Sequence, residues 1–103
     1  MYRERIHMYV RDIEGWNTLL DAAKEINGIV AGLGEPTARL WTESWGPFNH
    51  VVAEIEHESL AAYEIHRGVL QGNEDMRKQM ARIQEVTIDD RGYTEMLELA
   101  TGG

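Results

Sequence analysis

His50 and Glu43 are the two residues whose types and spacing most directly offer chemistry. They flank Trp45-Gly46-Pro47-Phe48, and a turn centred on Gly46-Pro47 sets them opposite each other on one face of a hairpin. A carboxylate facing an imidazole fixes its tautomer and raises its basicity, which general acid–base work requires. The same pair also reads as a cross-strand charge pair that holds the hairpin near its turn. His7 is a second candidate, as a proton carrier or a ligand-positioning group, and reads equally as an interface hydrogen-bonding group. The same parity carries Tyr9, Arg39, Trp41, Trp45 and Phe48. Trp41 and Trp45 offer stacking surfaces to an aromatic ligand, and they also read as interface core. Tyr9 offers a hydroxyl. Arg39 falls opposite Glu54 and reads as a structural pair rather than an anion clamp.

These residues need a sheet to hold them. The stretch Arg39–Ile55 alternates residue types on both sides of its Gly-Pro break, and hairpin strands are expected at about Thr37–Trp45 and Phe48–His57. One face is aromatic and charged; the other carries Ala38, Leu40, Thr42, Val51, Ala53 and Ile55. Arg5–Arg11 repeats this split, with Ile6, Met8 and Val10 on the aliphatic side.

Between the strands, Asp12 offers an N-cap to a helix whose Ile13, Trp16, Leu19, Leu20, Ala23, Ile26 and Val30 recur at helical spacing. Gly28, Gly32 and Gly34 weaken it, and Glu35-Pro36 ends it. Ser59 caps a second helix with Ala62, Ile65 and Val69 expected inward. Asn73 caps a third, with Met76, Met80 and Ile83 on one packing stripe. His57 and His66 lie off the polar strand face and read as structural or surface residues. Val86 and Ile88 point to an extended arm over 84–90, and Asp89-Asp90-Arg91-Gly92 to a turn. Tyr93–Leu99 reads as the last strand, with Thr101–Gly103 a loose end.

The order β-α-β-β-α(α)-β predicts an α+β fold of ferredoxin-like topology. An antiparallel four-stranded sheet carries its helices on one face, with the first strand between the last and the third. The 103 residues suit one domain over 1–103, and a 43% hydrophobic fraction supplies one core. No apolar run approaches the ~20 residues of a spanning helix, and no signal-like apolar segment opens the chain. The absence of cysteine removes disulfides, thiolate metal sites and a Cys nucleophile, and a cytoplasmic location is the default expectation. A formal charge of −8 argues against nucleic acid and anionic membranes as partners.

Two tryptophans on an uncovered sheet face represent roughly 150–250 Å² each, on the order of 7–12 kcal/mol of burial together. A second copy of the same face is the expected cover, making a homodimer. The run Arg39–Val52, with its Trp41, Trp45-Gly46-Pro47, Asn49 and paired Val51-Val52, followed by Glu58-Ser59-Leu60-Ala61, resembles the NIPSNAP family of the dimeric α/β-barrel superfamily. Tyr9 falls where that family usually has a strand-one tyrosine. The resemblance implies a ferredoxin-like protomer whose sheet closes against a second copy into a barrel. It implies no settled activity. Superfamily relatives include cofactor-free monooxygenases, polyketide cyclase-like enzymes and haem proteins.

The polar sheet face, with its aromatic walls and convergent polar groups, therefore leads to two readings. One is a dimer that binds a small hydrophobic or aromatic molecule within the barrel. The other is a cofactor-independent monooxygenase- or isomerase-like enzyme on an aromatic or polyketide-type substrate, with His50, Glu43 and His7 moving protons. Neither a metal nor another cofactor is expected. His50, Glu54 and Glu56 share a face, but no His pair or helical His/Glu unit has ligand spacing.

Overall fold

A computed structural model of the chain describes residues 1–102. Its elements are β1 (Tyr2–Tyr9), α1 (Ile13–Gly32), β2 (Arg39–Thr42), β3 (His50–His57), α2 (Leu60–Gln71), α3 (Glu74–Val86) and β4 (Tyr93–Glu98). The four strands form one antiparallel sheet in the order β2-β3-β1-β4, as the ferredoxin-like topology requires. Gly103 of the expected loose end lies outside the described residues.

All three helices begin where the sequence offers a cap. Asp12 accepts from the Gly15 amide at 2.7 Å, Ser59 from Ala62 at 3.0 Å and Asn73 from Met76 at 2.9 Å. At the far end of α1, Gly34 adopts φ +75°, and the Gly34 and Glu35 amides close on the Ala31 and Val30 carbonyls. A left-handed residue there lets the chain reverse without the steric cost a Cβ would carry.

Strand parity divides the sheet as its alternation predicts. Ile6, Met8, Leu40, Val51, Ala53 and Ile55 face the helices, and Val10, Leu19, Ala22, Val51 and Ile83 form the buried centre. The β2–β3 register pairs Arg39 with Glu54 and Trp41 with Val52. Asn27 of α1 fastens the edge strand by donating to the Ala38 carbonyl at 2.8 Å and accepting from its amide at 2.9 Å. Asn27→Ala leaves both Ala38 groups without that partner and should cost about 1–3 kcal/mol. A urea titration should show a lower midpoint at unchanged m-value.

Four expectations need correction. The hairpin ladder stops at Thr42–Val51, so Trp45 and Phe48 sit in a seven-residue loop, Glu43–Asn49, rather than opposite each other in strands. Pro47 lacks an amide donor, Gly46 stands at φ +123°, and Asn49 bonds its backbone and side chain to Val10, just past the end of β1, which pulls the chain out of a tight turn. On α2 the inward face is Tyr63, His66 and Leu70; Ile65 is 65% exposed and Val69 also faces outward. On α1, Ile13 and Leu20 likewise lie outside the core. Residues 84–86 continue α3, and the extended piece is confined to Thr87 and Ile88, which bond alongside the end of β1.

Candidate functional site

The open sheet face gathers most of the residues with chemistry. Tyr9 pairs with His50 across β1 and β3, and His7 with Tyr93 across β1 and β4. His7 Nδ1 and His50 Nε2 share a hydrogen bond at 2.9 Å. The outer nitrogen of His50 meets Glu43 Oε1 at 2.7 Å, and that of His7 meets Glu95 Oε1 in a short contact. The histidine ring centroids are 5.2 Å apart with planes 16° from parallel, so the rings lie edge to edge in nearly one plane. Tyr93 stacks on His7 at 4.1 Å, Tyr9 stacks on His50 at 4.6 Å, and Arg91 covers Tyr9 at 4.0 Å.

The result is a continuous Glu95–His7–His50–Glu43 chain crossing the sheet. An imidazole that gains a proton at one nitrogen can release one from the other, so the chain can carry a proton between its two carboxylates. Trp41, Trp45, Glu43 and His50 line an open depression of about 330 Å³ beside it. Phe48 and Arg39 do not line that depression. Arg39 is also not the ion-pair partner of Glu54: the carboxylate bonds to Arg5 at 3.0 Å and lies 3.6 Å from Arg3, both on β1. Glu54 has a cation in register on each side, and the two from β1 hold it.

The opposite face holds a different site. A cleft of about 570 Å³ lies between the sheet and the helices. Its lining is mostly aliphatic or thioether, with Ile6, Met8, Leu40, Ile55, Leu70 and Met80 among it. Helix α1 packs along α3, whereas α2 touches β3 and α3 only lightly, which leaves the space open. His66 reaches this cleft from α2 while only 2% exposed, and neither ring nitrogen has a hydrogen-bond partner among the described residues. His57 packs edge-on against it at 5.1 Å and contacts Glu4 Oε1 at 3.1 Å. Burial pushes the His66 imidazole below the ordinary histidine range, and the neighbouring His57 adds to the effect. Neutral His66 therefore presents one N–H donor and one lone pair to an apolar cavity.

A lowered folded value carries a pH signature. Below about pH 6.5 the unfolded chain takes up a proton that folded His66 resists, so its contribution is complete above that pH and lost as pH falls toward the folded value. The melting temperature should fall between about pH 7 and pH 5, and His66→Leu should flatten the part of that fall due to this residue.

Solved structures share the fold. A NIPSNAP domain protein from Burkholderia xenovorans matches with a TM-score of 0.78 and 18% identity, over 97% of this chain and 95% of its own. A NIPSNAP family protein from Agrobacterium tumefaciens matches at 0.70 and 16%, over 95% and 92%. The chain has the fold of the NIPSNAP proteins. A protein described as an antibiotic biosynthesis monooxygenase shares that NIPSNAP-like fold at 0.74 and 17%, over 98% of this chain and all of its own. No family model and no curated protein matches the sequence.

The parity of the strands brings His7, Tyr9, Trp41 and His50 to one face, and Glu43 and Trp45 join them from the loop. Glu95 and Tyr93 were missed there, although setting Tyr93 opposite His7 would have found both, one strand period apart. The buried Glu4, His57 and His66 were also missed as a group. Tyr63, His66 and Leu70 recur at helical spacing as regularly as Ala62, Ile65 and Val69 do, and the more aliphatic triplet was the natural choice for the inner face.

Proposed function

We propose that the protein is a homodimer that binds a small, largely apolar molecule in the cleft between sheet and helices. The carrying observation is His66: two buried ring nitrogens without partners, set in an aliphatic cleft of ligand size. Leaving such groups unmet costs about 1–3 kcal/mol, a cost that a ligand's own hydroxyl or carbonyl would remove. The homodimer rests on the open sheet face, where Trp41 is 51% exposed on one edge strand and Tyr93 and Leu97 lie open on the other. The test is calorimetry with two neutral probes, 1-naphthol and decanol. Both should bind, and Ala23→Phe, which fills the cleft from α1, should abolish binding while the melting temperature holds. Equal binding to wild type and Ala23→Phe would place the ligand elsewhere.

A second reading is favoured by the Glu95–His7–His50–Glu43 chain: a cofactor-independent monooxygenase- or isomerase-like enzyme acting on an aromatic or polyketide-type molecule. The similarity to a protein described as an antibiotic biosynthesis monooxygenase supports it at the level of fold. Oxygen uptake with electron-rich phenols, lost in His50→Ala at unchanged assembly and melting temperature, would establish this reading over simple binding.

A further inference from the structure

We propose that the ligand of the cleft carries an anionic head, a carboxylate, held at the cleft edge by Arg67 and Arg77. This rests on the cleft reading above and adds the ligand's chemical class. Acidic residues outnumber basic ones 18 to 10 in this chain, so an arginine has carboxylates within easy reach. Arg3, Arg5, Arg11 and Arg82 each pair with one. Arg67 and Arg77 both line the apolar cleft, and neither pairs with a carboxylate among the described residues.

They are brought there by the joint between two helices. Arg67 lies near the end of α2, with Gln71 one turn further on the same face, and Arg77 closes the first turn of α3. Two guanidinium groups and a carboxamide thus border one cavity, and all three residues are exposed, so their heads are free to turn toward a bound molecule. Glu4 is the carboxylate that lines the cleft, and it is engaged by His57.

The charge of the whole chain sharpens the point. At a formal −8 the protein repels anions at long range, so an anionic ligand needs local cations to be held at all. Guanidinium groups suit that role, because each offers paired donors matching the two oxygens of a carboxylate. The rest of the lining is mostly aliphatic or thioether, with the buried His66 beside Arg67 on α2. An occupant that suits the arginines and the aliphatic lining is an amphiphilic carboxylic acid with a largely apolar body, and a hydroxyl or carbonyl along that body would meet His66. A neutral hydrocarbon would leave the arginines idle, and a cationic amphiphile would face both of them.

The test compares decanoate with decanol by calorimetry on the full chain at pH 8, where the acid is ionised. Decanoate should bind about ten-fold tighter than decanol, the size of one charged hydrogen-bonded contact. In the Arg67→Gln/Arg77→Gln double variant that preference should vanish while decanol binding stays unchanged, and Arg67→Lys/Arg77→Lys should retain part of it. Both positions are exposed, so the wild-type melting temperature should persist. Equal affinity of the two probes for wild type would overturn the anionic head and leave the cleft reading intact. A preference that survives in the double variant would overturn the assignment to Arg67 and Arg77. Failure of both probes to bind would overturn the cleft reading along with it.

Discussion

Trp41→Asp is expected to convert the protein from the proposed dimer into a species near 11.8 kDa, or to unfold it. Trp41 sits in β2 on the open face with about half its surface already covered by its own chain. The rest, covered by a second copy, is worth roughly 2–3 kcal/mol per subunit. A two-fold assembly loses this contribution twice, which alone weakens association by about three to four orders of magnitude. The introduced carboxylate adds a desolvation cost wherever the interface is dry. Light scattering across a micromolar dilution series reads the outcome directly. Wild type that scatters as a monomer throughout would remove the proposed assembly.

Leu19→Ala should be the most damaging single truncation of the protomer. Leu19 is fully buried between α1 and the sheet, packed with Val10, Ala22, Val51 and Ile83. Removing three carbons there costs about 3–5 kcal/mol, a large part of the 5–15 kcal/mol expected for a domain of this size. The adjoining cleft gives the surrounding side chains room to relax, which places the effect toward the lower end of that range. Chemical denaturation should show the midpoint falling at constant slope. Decanol would be expected to recover part of the loss, because the truncation enlarges the space the ligand fills.

The sequence carried the fold because each level agreed. Alternation in β1 and across β2–β3 set the faces, Asp12, Ser59 and Asn73 marked three helix starts, and two helical segments flanking a hairpin left one simple topology. The polar face was equally legible, since strand parity brings His7 and His50 together and Glu43 follows β2 by one residue. What escaped depended on packing rather than pattern. Which stripe of α2 turns inward is decided by how that helix lies over the sheet, and that choice puts His66, which reads as structural or surface, in the cleft. The loop from Glu43 to Asn49 was misjudged for a related reason. Its course is set by Asn49 bonding to Val10, a contact between residues far apart in the chain.

The place of β1 in the sheet has a further consequence. It is central, bonded to β3 on one side and β4 on the other, yet it is the first strand in the chain. Its partners stand far off in sequence: Arg3 meets Glu56 across 53 residues, and Tyr2 meets Glu98 across 96. During synthesis the middle of the sheet therefore emerges first and is completed last. The early segment can hold only its helix until β3 arrives, and one flank stays unpaired until β4 has been made. Such distant closures carry a large entropic cost before any contact offsets it, so folding should be slow for a chain this short, in the millisecond-to-second range of topologies rich in non-local pairing. Stopped-flow refolding monitored through the tryptophans would time it.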